Sequence, residues 1–82
     1  MIQIAEETNR TFRTRIGDRE GIYSGYAMTH SGAAEMAALD ANLDIEPIIE
    51  ETYLAERVHD WRIYLIRFAA NRHERVAVLQ LS

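Results

Sequence analysis

From Thr11 to Ile16 apolar and polar positions alternate. Phe12, Thr14 and Ile16 fall on one side and Arg13 and Arg15 on the other, the period-2 signature of a half-buried strand. Gly17-Asp18-Arg19-Glu20-Gly21 supplies the glycines and carboxylate of a chain reversal, and Ile22 to Met28 resumes in extended style, so residues 11–28 are predicted to form a β-hairpin. Ile2 and Ile4 alternate with polar or small neighbours, which predicts a further strand over residues 2–6, ahead of a Thr8-Asn9-Arg10 turn. At Ser31 the period lengthens. Met36, Leu39 and Leu43 recur at helical spacing, and Ala33, Ala34, Ala37, Ala38 and Ala41 leave room for close approach to a sheet. A helix is therefore expected from Ser31 to about Leu43. Ser31 would accept from its free first-turn amides, and Glu35 would complement its positive end.

Residues 45–58 carry two patterns. Ile45, Ile48, Ile49, Thr52 and Tyr53 fit a helix with Pro47 in its first turn, and this is the reading adopted, with an edge strand around Tyr53 as the alternative. Trp61, Ile63 and Leu65 then alternate with Tyr64, Ile66 and Phe68, so a strand apolar and covered on both faces is expected there, at the centre of the sheet and with Trp61 in the core. Asn71-Arg72-His73-Glu74 reads as a turn, and Arg75 to Leu81 as a returning strand. These elements predict a single α+β domain over residues 1–82: a small antiparallel sheet of four to five strands with one or two helices on one face.

Composition narrows the picture. With 82 residues one hydrophobic core is the limit, and 48% hydrophobic with 27% charged residues is ordinary for a folded domain. The absence of cysteine removes disulfides, thiolate metal sites and a cysteine nucleophile together. No signal segment or membrane-spanning run is apparent, so a cytoplasmic protein without membrane contact is expected. All nine basic residues are arginine, a bias that fits either a GC-rich coding sequence or bidentate pairing.

Charge is unevenly placed. The net value is −4, yet the first third of the chain is neutral and the last is positive, while in the middle third eight carboxylates face only Arg57. An acidic surface of this kind draws cationic partners and repels phosphate. Asp44, Glu46, Glu50, Glu51 and Glu56, with Tyr53 among them, are accordingly the candidate protein-binding residues, and the expected partner is a protein with a basic surface. On a helix, Glu46 and Glu50 would share a face. Arg10, Arg13, Arg15 and Arg19, near Tyr23 and Tyr26, suggest a nucleic-acid platform, but Glu6, Glu7, Asp18 and Glu20 cancel their charge, so nucleic acid is not the expected ligand.

Catalytic signatures are lacking. His30, His59 and His73 have no metal-ligand spacing, and Thr29-His30-Ser31 lacks the Gly-x-Ser-x-Gly context of a serine nucleophile. Gly21 and Gly25 form no phosphate loop. No cofactor, metal or catalytic residue is assigned, and the chain is read as non-enzymatic. In size, acidity and lack of catalytic signature it resembles the small inhibitors that phages and mobile elements encode against restriction or CRISPR systems. That resemblance rests on general properties, has no motif behind it and lends no site residues. It implies an inhibitor or accessory factor that occupies a basic surface of its target. The alternatives are a subunit assembling through an edge strand such as Arg75 to Leu81, a homodimer included, and a nucleic-acid module built on the hairpin arginines.

Overall fold

The computed structural model describes residues 9–43 and 47–82. Strands β1 (Asn9–Ile16) and β2 (Arg19–Tyr26) form the first hairpin. Helix α1 (His30–Ala41) follows, and then β3 (Ile49–Val58), β4 (Trp61–Phe68) and β5 (Arg72–Gln80). All five strands join one antiparallel sheet in the order β2-β1-β5-β4-β3, with α1 packed on one face, an α+β architecture as expected. The expected strand over residues 2–6 lies outside the described residues, as do Asp44, Ile45 and Glu46.

Directly paired residues share a face of the sheet, so the register sorts every strand position. The helix side carries Phe12 and Thr14 of β1, Val76 and Val78 of β5, and Tyr64, Ile66 and Phe68 of β4, all buried. Against them α1 presents Ala33, Ala34, Ala37 and Ala38, each almost fully buried. The bulk of this core comes from the sheet, and the helix contributes only methyl groups, which lets its backbone lie close. The expected stripe is displaced as a result: Met36 and Leu43 are 42% and 69% exposed, because the alanines occupy the inner face. One hydrogen bond pins the helix to the edge of the sheet. The Tyr23 hydroxyl donates to Asp40 Oδ2 at 2.6 Å, and its pKa is pushed up to about 12 by burial first and by that carboxylate second.

Several expectations are corrected. Residues 49–58 form strand β3, not a helix. Two register shifts, between Ile49 and Glu51 and between Leu54 and Glu56, insert bulges into this edge strand. The sheet centre is β5, paired on both sides, so the strand from Arg75 is no edge strand for assembly, and β4 lies one place from the edge. Trp61 is half-buried on the face away from the helix and outside the core cluster, because its parity sets it opposite Tyr64. The turn before β5 is a one-turn 3-10 helix, Ala69–Asn71, with Ala70 and Asn71 at φ 65° and 59°, so Arg72 and His73 already belong to the strand.

The helix cap is also displaced. Thr29, not Ser31, is the N-cap: its backbone is extended and its Oγ1 accepts from the Gly32 amide at 3.0 Å. Ser31 lies inside the first turn, within 3.2 Å of the Thr29 hydroxyl, and Glu35 falls beyond that turn. Thr29→Ala should cost about 0.5–2 kcal/mol of stability in urea unfolding, and Ser31→Ala clearly less. Equal losses would refute the assignment.

Candidate functional site

Among the described residues, no element covers the sheet face opposite α1. The row beside the β3–β4 turn runs Ile22, Arg13, Leu79, Trp61 and Val58 across all five strands. The next row is Glu20, Arg15, Ala77, Ile63 and Glu56, followed by Arg75, Leu65 and Tyr53 and then by His73, Arg67 and Glu51. The middle of this face is apolar. Ile63, on this face, is itself 7% exposed. Tyr53 and Val58, at 44% and 43% exposed, sit on the edge strand beside it.

Ion pairs frame the apolar patch. Arg67 donates to Glu50 Oε1 at 2.7 Å and to Glu51 Oε2 at 3.0 Å, because the first bulge of β3 brings both carboxylates to one guanidinium. Arg75 pairs with Glu56, and Arg15 with Glu20 at 2.6 Å. The Arg15 hydrogen bond, more than its charge, holds the Glu20 carboxyl below its usual range. Arg15 also lies 5.2 Å from the Trp61 ring centroid, a cation–π stack that covers part of the indole.

Four of the six residues predicted to bind protein are therefore brought together: Glu50, Glu51, Tyr53 and Glu56 line one edge of this face. Asp44 and Glu46 lie outside the described residues, so a shared helical face for Glu46 and Glu50 has no counterpart here. The three placed carboxylates are internally paired. Of the 13 acidic residues, Glu6, Glu7, Asp44 and Glu46 fall outside the described residues, and the remaining nine balance the nine arginines. Sequence reasoning missed Leu65 as a partly exposed residue because its strand was read as covered on both sides, and Leu79 was not singled out. The hairpin arginines make no single platform, since Arg10 and Arg13 point to opposite faces. Tyr23 is committed to Asp40, while Tyr26 is exposed.

A second feature lies at the N-terminal end of α1, where the helix side of the sheet runs past the core. Arg57 and Arg62 are direct cross-strand partners there, and His30 begins the helix with its ring 4.8 Å from that of Phe12, edge to face. These three residues and His59 line an open depression of about 550 Å³. Burial first, then the charges of Arg62, Arg10 and Arg57, holds the His30 imidazole below its ordinary pKa.

Among the described residues, no group of three or more histidine and carboxylate side chains could hold a metal, and no helix is long and apolar enough to cross a membrane. No family model, curated protein or solved structure matches the chain.

Proposed function

We propose that this domain is a protein-binding module without chemistry of its own, that it binds through the uncovered sheet face, and that the occupant of that face is a second copy of the chain. The observation that carries this reading is the apolar patch of Leu79, Trp61, Val58, Ile63, Leu65 and Tyr53 at the middle of a sheet face that no described element covers. An apolar sheet face needs a second layer. The sheet offers enough area: five strands spaced about 4.8 Å apart, each of roughly eight residues at about 3.3 Å, span about 600 Å² in plan. Side-chain relief brings the accessible area toward the roughly 800 Å² per partner of a standard interface.

Charge favours a copy over a partner of strong sign. Each arginine in the Arg15, Arg67 and Arg75 series already has its carboxylate, so the face carries little net field and two copies meet without repulsion. Sheets packed face to face at about 10 Å, related by a two-fold axis, would bury the patch in a four-layer body. A basic groove on another protein would have to displace Arg67 and Arg75 from Glu50, Glu51 and Glu56. Exposed pairs resist such exchange by only about 0–1 kcal/mol each, so the acidic edge stays usable at the rim. In this reading an inhibitor or accessory subunit acts as the dimer.

Sedimentation equilibrium from about 5 to about 500 μM is the direct test, since association follows mass action. A rise toward twice the monomer mass of 9.5 kDa is expected. A constant monomer mass up to the highest concentration overturns the self-association reading.

A further inference from the structure

We propose that the depression at the N-terminal end of α1 binds the phosphate group of a small phosphorylated molecule, with Arg57 and Arg62 as its principal donors and His30 beside them. The first argument is the register. Arg57 and Arg62 are directly opposed on neighbouring strands, and like charges in that position repel. Among the described residues, neither forms an ion pair, whereas Arg15, Arg67 and Arg75 all do. An anion placed between the two guanidinium groups turns that repulsion into a bidentate site on each side, the geometry for which arginine suits phosphate better than lysine does.

The surroundings point the same way. His30 stands at the same end of the sheet, in the combined field of Arg10, Arg57 and Arg62. His59, in the β3–β4 turn, lines the same depression. One side-chain carboxylate, Asp60, also lines the depression together with Ser82, the last residue of the sequence, and Asp60 forms no ion pair with either arginine among the described residues. The positive end of the α1 dipole adds to the field without being needed for the argument.

Size separates a small ligand from a polymer. About 550 Å³ lies within the range of small-molecule sites, and the depression continues past the β3–β4 turn to Trp61 and Leu79 on the other face, which can meet an apolar or aromatic portion of the ligand in the monomer, where no second copy covers them. A nucleic-acid strand would need a continuous basic track leading away from it. The nearest further arginines, Arg10 and Arg13 of β1, form no ion pair among the described residues but point to opposite faces of the sheet, and Arg15, Arg67 and Arg75 are neutralised by glutamates, so no continuous track leads away along one face.

The test uses the full chain in low-salt buffer, with NMR titrations of inorganic phosphate, adenosine 5′-monophosphate, adenosine and a short oligothymidylate. Phosphate and the nucleotide should shift the His30 ring and the Arg57 and Arg62 side-chain resonances, and the nucleotide should bind the more tightly. Arg57→Gln and Arg62→Gln should each weaken nucleotide binding about 10-fold or more, as expected for loss of a charge-assisted hydrogen bond. Both variants change exposed or half-exposed side chains, and an unchanged unfolding midpoint will show that they remain folded. No shift at about 10 mM phosphate or nucleotide, well above the roughly millimolar affinity of a weak site, overturns the proposal. So does undiminished binding by the double variant, or adenosine binding as well as its phosphate. Oligothymidylate binding with a steep salt dependence would overturn the small-ligand assignment in favour of a nucleic-acid surface.

Discussion

Phe12→Ala should cost about 3–5 kcal/mol, close to the upper end for a single core truncation. Phe12 is 1% exposed on β1, in the same cluster as Ala33, Ala34, Ala37, Ala38, Val76 and Val78. The cost is high because the helix residues that face Phe12 end at Cβ and cannot extend into the space, and the helix is held from sliding by the Tyr23 to Asp40 hydrogen bond. A domain of this size has a total stability of roughly 4–12 kcal/mol at 0.05–0.15 kcal/mol per residue, so the variant stands near the unfolding threshold. Urea unfolding followed by circular dichroism measures it. A loss under about 1.5 kcal/mol would mean that α1 settles into the cavity and that the alanine interface is more plastic than its burial implies.

The same interface shows what the sequence could and could not reveal. The first hairpin was legible because Phe12, Thr14 and Ile16 alternate cleanly and Gly17 takes the reversal at φ 58°. The alanine run promised close packing, and it forms the inner helix face. Residues 49–58 misled for a physical reason. Two bulges make the helix-side positions of β3 fall at Ile49, Thr52, Leu54 and Arg57, spacings of three and two that blur into a helical period. The cap was misplaced by two residues because Thr29 and Ser31 are both capable acceptors, and only backbone geometry separates them.

The candidate site was half legible. Glu50, Glu51, Tyr53 and Glu56 do share a surface, but composition could not show that Arg67, directly across from Glu51, and Arg75, one strand further on, come from the positive last third of the chain to pair with them. Cross-strand pairing joins residues that are far apart in sequence, so a charge tally by segment exaggerates the polarity of the folded surface. The apolar alternation of β4 was read correctly as two apolar faces. What failed was the assumption that both must be covered within one chain, when the helix layer reaches only the side of Tyr64, Ile66 and Phe68.

That uncovered side yields the second large effect, in association and not in folding. Leu79 lies on the central strand β5, between Arg13 on one side and Trp61 on the other, with Ala77 and Leu81 along its own strand. Leu79 belongs to the apolar patch that a two-fold assembly through this face would bury, so Leu79→Arg would place a guanidinium from each copy in the interface. Burying an unpaired charge costs about 3–5 kcal/mol, and the dimer should weaken at least about 100-fold, while ultracentrifugation at about 100 μM should report monomer. The monomer should tolerate the change, because Leu79 is partly exposed and outside the core, and an arginine stem can lie along the apolar patch with its head in water. Unfolding at low concentration should shift by under about 1 kcal/mol, as for other surface substitutions. A rim control separates a role of the patch from a general charge effect. Glu56→Gln breaks the pair with Arg75 at the edge and should change association by under about five-fold, mainly through the encounter rate and its salt dependence. If Leu79→Arg remained as dimeric as the parent, the open face would not be the contact. The exposed edge strands β2 and β3 would then be the surfaces left to join two copies.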